Sequence, residues 1–215
     1  MGIPVLTIGQ PGQGKSTSIR NFGKTEVGIF NVASKPLPFK NDLDVISHAT
    51  YQTIYQSWER AKAKNALRKA YVVDDADYLM TFQAFARAKE IGYQKFTDIA
   101  VDFYNLIQYI INGLPDDVIV YILMHTEQTE QGVTKAKTTG KMIDNQLSLE
   151  GLFTIVLLAQ TDGTDHWFVT QSDGYTTVKS PMGMFPARID NDLKLVDTTI
   201  REYYNLNKED KKDEA

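Results

Sequence analysis

The sequence predicts an α/β protein with a mostly parallel central sheet, helices on its flanks and antiparallel strands toward the C-terminus. Three observations lead there. Continuous apolar runs, Val5 to Ile8, Val27 to Val32, Ala70 to Val73 and the run "DVIVYILMHTE" at 117–127, have the length and composition of strands buried on both faces. Between them lie longer stretches with apolar residues at helical spacing. Beyond residue 150 the helical stretches give way to short β-rich runs joined by "QTDGTD" and "SDG", which are turn sequences.

The chain begins with the apolar run Ile3 to Ile8, which "GQPGQGKST" interrupts. Lys15 to Phe22 then predicts a helix, closed by Gly23. After the second strand, "ASKPLPFKND" carries two prolines and reads as a surface connection. From Tyr51 to Lys69 an amphipathic helix is expected, and its Tyr51, Tyr55 and Trp58 are expected to pack on the sheet rather than form a base-stacking platform. Helices are predicted at Thr81 to Glu90 and Lys95 to Ile111, the latter stopped by Gly113-Leu114-Pro115. Glu127 to Lys141, polar and containing Gly132 and Gly140, reads as a long mobile loop. Strands follow at Phe153 to Ala159, Trp167 to Thr170 and Thr176 to Lys179, then a last helix at Asp190 to Tyr204. Residues 1–204 are expected to form a single domain and 205–215 a disordered charged tail.

Composition narrows the classes. At 215 residues, 42% of them hydrophobic and 23% charged, the chain is expected to bury an ordinary core. A net charge of -4 excludes a generally positive surface, so contact with nucleic acid must come from local patches. Cysteine is absent, which excludes disulfides and thiolate metal sites and fits a cytoplasmic setting. No apolar stretch has the length of a membrane span and no signal peptide is expected, so no membrane partner is predicted.

Gly9, Gln10, Pro11, Gly12, Gln13, Gly14, Lys15 and Ser16 match the phosphate-binding pattern G-x-x-x-x-G-K-[ST], placed after a strand as the chemistry requires. Glycines let successive N–H groups turn toward one anion, Lys15 reaches the β- and γ-phosphates, and the Ser16 hydroxyl is a ligand for Mg2+. Thr17 is expected near the α-phosphate. A second metal contact is expected from an Asp at the end of a buried strand, and "YVVDDADYLM" supplies Asp74, with Asp75 beside it to polarise an attacking water. Either could instead cap the following helix. His125 ends a strand where it can sense the γ-phosphate or serve structure alone. Lys135, Lys137 and Lys141 form a local basic segment, read either as a solvated loop or as a contact for a nucleic-acid backbone. Lys179, ahead of Arg188, is the candidate to reach a neighbouring copy's γ-phosphate in a head-to-tail assembly.

Together, "GQPGQGKST", "YVVDDADYL", "VIVYILMHTE", "TTGKMIDNQLSLEGLFTIVLLAQ" and "DGYTTVKSPMGMF" resemble the phage-encoded RecA-like ATPases that act as single-strand annealing proteins. The resemblance spans about Ile3 to Tyr204. It implies a RecA-like P-loop core, ATP with Mg2+, binding of single-stranded DNA, a role in phage recombination or replication beside a single-strand DNA-binding protein, and rings or filaments of identical subunits. Lys15, Ser16 and Asp74 keep their roles by position. His125 starts a DNA-facing loop, and Lys179 falls where such proteins place a lysine acting across a subunit interface. One departure concerns the second strand, which ends "IFNVASKP" and lacks the family's activating Glu. Either Asp75 takes over the water, or ATP serves mainly as a slowly hydrolysed clamp. A P-loop kinase, disfavoured by the lack of arginine in 127–141, and a non-catalytic nucleotide-gated module are the alternatives.

Overall fold

The computed structural model describes residues 1–140 and 148–206. Its apolar runs form β1 (Ile3–Ile8), β2 (Val27–Asn31), β4 (Ala70–Asp74), β5 (Ile119–Met124) and β8 (Ile155–Thr161), and all five run parallel. A three-residue strand, β3 (Val45–Ser47), extends one edge. The antiparallel β9 (His166–Val169) and β10 (Arg188–Asp190) extend the other. The order across this eight-stranded sheet is β10-β9-β8-β1-β5-β4-β2-β3.

Alternation along β5 explains why its sequence is apolar throughout. Val120, Ile122 and Met124 enter one core with Trp58, Met80 and Phe103, while Ile119, Tyr121 and Leu123 enter a second core with Ile19, Leu193 and Ile200. The first face is covered by α1 (Tyr51–Ala63), α2 (Asp77–Ala86) and α3 (Gln94–Gly113), the second by α4 (Leu193–Tyr203). Trp58 is fully buried edge-on against Phe30, so the helix aromatics are core residues as the periodicity predicts.

Several boundaries differ from the sequence reading, each for a local reason. No α-helix follows the glycine loop: Ser16–Ile19 makes one 3-10 turn. Ser16, Thr17 and Ser18 favour local side-chain bonds over helix, and the Ser18 hydroxyl donates to the Lys15 carbonyl. Helix α1 stops at Ala63 instead of Lys69, because Asn65 adopts the left-handed conformation (φ 50°). Asp190 belongs to β10, and α4 starts only after Asp192, whose carboxylate accepts from the N–H groups of Lys194 and Leu195.

The expected mobile loop Glu127 to Lys141 is also corrected. Its described part is an antiparallel hairpin, β6 (Thr126–Gln128) with β7 (Thr134–Ala136), separate from the main sheet. Thr176 to Lys179 is a strap joined by two isolated bridges, Thr134 to Thr176 and Val156 to Lys179, rather than a strand. At the C-terminus, Asn205 and Leu206 continue the folded body: the Leu206 N–H donates to the Arg201 carbonyl at 2.9 Å and its side chain packs on the second core. The rest of the expected tail, 207–215, lies outside the described residues. Among the described residues no helix is long and apolar enough to cross a membrane.

Candidate functional site

Parallel strands β1, β5 and β4 end side by side, and the polar residues the sequence singles out gather at that edge. From the end of β1 the loop turns at once, with Gly9 N–H donating to the Met124 carbonyl at 3.2 Å. Gly9 lies against β8, and a Cβ there would stand 3.1 Å from that of Ala159. Gln13 braces the loop from within, since its Oε1 accepts from Gln10 N–H at 2.6 Å while its own N–H donates back to the Gln10 carbonyl at 3.2 Å. Gly14 has φ +88°, open to glycine and strained for any other residue. The N–H groups of Gly12, Gly14 and Lys15 donate to no acceptor among the described residues, the condition under which a turn of backbone can receive an anion.

Lys15 is buried, and its Nζ donates to the Gly9 carbonyl at 2.8 Å and the Gln10 carbonyl at 3.2 Å. Burial pulls its pKa below that of an ordinary lysine, and the nearby carboxylates, Asp75 first, oppose that pull. Ser16 Oγ donates to Asp74 Oδ1 at 2.8 Å across the width of β5. Burial, aided by the charge of Asp75, raises the Asp74 carboxyl to about 6. The two residues expected to share a metal are therefore in contact, and a divalent cation would relieve the cost of ionising Asp74 in this setting.

Asp75 follows with φ 57°, a left-handed turn that Asp tolerates, and is buried. Its Oδ2 pairs with Lys35 Nζ at 2.7 Å, and its Oδ1 stands 3.8 Å from His125 Nε2. On the other side of the imidazole, Nδ1 lies 3.0 and 3.1 Å from the two carboxylate oxygens of Asp77. The backbone N–H of His125 also donates to Asp77, at 3.1 Å. Burial raises the Asp77 pKa, but these bonds and the imidazole's charge outweigh it and hold the carboxyl below its usual value. His125 thus sits between Asp75 and Asp77, its ring oriented by the buried Asp77 carboxylate.

The structure brings together Lys15, Ser16, Asp74, Asp75 and His125. It does not bring Lys179 to them within one chain: the Lys179 backbone pairs with Val156, level with Leu6, two residues short of the end of β1. Lys135 and Lys137 lie on the hairpin, where Lys135 Nζ pairs with Glu127 Oε1 at 3.1 Å and the Lys137 N–H donates to the His125 carbonyl at 2.8 Å. Lys141 lies outside the described residues. Thr17 is part of the 3-10 turn beside Lys15.

Sequence reasoning missed three neighbours. Lys35 stands in the proline-rich connection, where nothing announces a partner 40 positions on. Asp77 was legible as a third carboxylate two residues past the acidic pair. Asn191, buried with both amide atoms unpartnered, would lie 3.1–3.2 Å from a Gly14 Cβ, and only the three-dimensional return of β10 reveals it.

Among the described residues no group of three or more His, Cys, Asp or Glu forms a metal cluster, so a metal here would depend on the hydroxyl, one carboxylate and oxygens from a ligand. Comparison with protein-family models gives no match, and comparison with curated proteins gives none.

Proposed function

We propose that the chain is a RecA-like P-loop ATPase that binds ATP with Mg2+ and uses it to engage single-stranded DNA in annealing or recombination. The observation that carries this reading is the Ser16–Asp74 contact at 2.8 Å beside a glycine loop whose N–H groups at Gly12, Gly14 and Lys15 lack acceptors. Lys15 is drawn from two loop carbonyls toward the β- and γ-phosphates, where its charge counts for more than in water. Because Ser16–Ile19 is a single 3-10 turn, the grip relies on loop amides and this ammonium, with little help from a helix dipole.

Magnesium, when bound, supplies Lewis-acid polarisation of the phosphate oxygens, and Ser16 and Asp74 are the residues to hold it. Asp75 orients the attacking water and accepts its proton, with His125 steadying the carboxylate. The hairpin that begins one residue after His125 offers Lys135 and Lys137 to the phosphodiester backbone. In an assembly of identical subunits, Lys179 of a neighbouring copy completes the site, and a single-strand DNA-binding protein is the companion on the same DNA.

A nucleotide-gated module without appreciable turnover is the second reading, favoured by the Lys35–Asp75 pair and by the lack of a carboxylate at the end of β2. ATP hydrolysis measured across a titration of single-stranded DNA at two salt concentrations tests both. Stimulation by DNA supports the ATPase reading, binding without turnover supports the module, and a Lys15→Ala protein with normal ATP affinity removes both.

A further inference from the structure

We propose that Lys35 is a γ-phosphate-sensing cation that exchanges the Asp75 carboxylate for the γ-phosphate, so that the protein tells a nucleoside triphosphate from a diphosphate by whether Asp75 is released. The inference rests on the nucleotide-binding reading above and goes beyond it in assigning a second cation and a gate on the hydrolytic carboxylate.

The pair is asymmetric. Asp75 is fixed, its side chain 5% exposed, whereas the Lys35 side chain is 61% exposed and its ammonium is free to swing. The lysine end of the pair lies largely in solvent, so its ammonium can change partners without leaving water, while the buried Asp75 needs another partner when it goes. The base of the lysine is nevertheless anchored. Asn31 Nδ2 donates to the Lys35 carbonyl at 2.6 Å, and the preceding Ser34, left-handed at φ 58°, accepts from the His48 N–H at 2.6 Å. Movement is thereby confined to the flexible four-carbon stem.

The destination lies close by. Asp75, which holds the Lys35 ammonium at 2.7 Å, directly follows Asp74, whose Oδ1 takes the hydroxyl of Ser16, the residue next to Lys15. A γ-phosphate held by Lys15 would offer the Lys35 ammonium charge-assisted bonds in exchange for the carboxylate. Asp75 does not become an isolated buried anion when the lysine leaves, because His125 Nε2 remains 3.8 Å from its other oxygen. The Tyr78 ring centroid lies 5.8 Å from Lys35 Nζ, a further contact on the Asp75 side of the exchange. A diphosphate offers no such oxygen, and the lysine then stays on Asp75.

Calorimetric titration of the full chain with MgADP and with a non-hydrolysable Mg-ATP analogue tests the exchange in wild type, Lys35→Ala, Lys35→Arg and Asp75→Asn proteins. Lys35→Ala is expected to reduce the triphosphate-over-diphosphate preference by about tenfold while leaving ADP affinity within about twofold, and Lys35→Arg to restore part of it. Asp75→Asn, which removes the competing anion, is expected to raise triphosphate affinity, and that gain should vanish in the double variant with Lys35→Ala. An unchanged preference in Lys35→Ala overturns the inference while nucleotide binding stands. Wild-type protein that binds neither nucleotide overturns the nucleotide reading, and this inference with it.

Discussion

Ser16 Oγ and Asp74 Oδ1 meet at 2.8 Å although Ser16 follows the loop after β1 and Asp74 ends β4, with β5 lying between those two strands. The contact closes over the end of the intervening strand, directly after the glycine loop. Ser16→Ala should therefore lower magnesium-dependent triphosphate affinity by about tenfold or more, with little change when magnesium is chelated. Titration with and without the metal checks this, and equal losses in both conditions would deny the hydroxyl a metal role.

Asp74 predicts a pH-dependent stability. Its folded value is raised to about 6 from 3.8, so its contribution is fully present below pH 3.8 and is lost as pH rises through 6. Replacement by Asn keeps an acceptor for Ser16 and removes the titration. Without nucleotide or metal, Asp74→Asn should gain on wild type by about 2 kcal/mol between pH 4 and pH 7, read from urea unfolding at each pH. A difference that stays constant with pH would contradict the burial of an ionised carboxylate at this site.

Gly14 and Gly12 both have positive φ, but they differ in surroundings. At Gly14 an added Cβ would stand 3.0 Å from His166 Nδ1 and 3.1 Å from Asn191 Oδ1, while nothing lies within 4 Å at Gly12. Gly12→Ala should thus cost about 1–2 kcal/mol of backbone strain, and Gly14→Ala should cost more and displace the loop. Thermal unfolding gives the order, and a larger loss at Gly12 would reverse it.

The hairpin lysines should not contribute equally to DNA binding. Lys135 is paired with Glu127, whereas Lys137 is exposed. Replacing Lys137 with Ala should flatten the salt dependence of single-strand binding by about 0.7 in the log–log slope, and Lys135→Ala by less. Glu127→Gln should tighten binding by removing a negative charge beside the lysine. Fluorescence anisotropy of a labelled oligonucleotide at several salt concentrations measures all three, and identical slopes would exclude the hairpin as the contact.

The parts legible in the sequence were those where one physical cause dominates. Strands β1, β4, β5 and β8 read as apolar runs because both faces are buried, and the segment after β1 read as a loop because the glycines from Gly9 to Gly14 break the apolar run. Strand β3 was hidden, since three residues behind two prolines carry no periodicity. The hairpin was hidden too: "TEQ" and "TKA" are mostly polar, and besides the buried Ala136 they are held by a distant carboxylate, Glu150, that accepts from the Ala136 N–H. Lys35 could not be found from sequence because its pairing with Asp75 depends on β2 and β4 lying side by side.

Glu150 gives these segments a mechanical link. Its buried Oε1 receives both the Ala136 N–H of the hairpin, at 2.8 Å, and the Thr177 hydroxyl of the strap that carries Lys179, at 3.3 Å. One rivet thus joins the arm bearing Lys135 and Lys137 to the band bearing Lys179. A tug on the arm reaches the band directly, without first deforming the eight-stranded slab beneath.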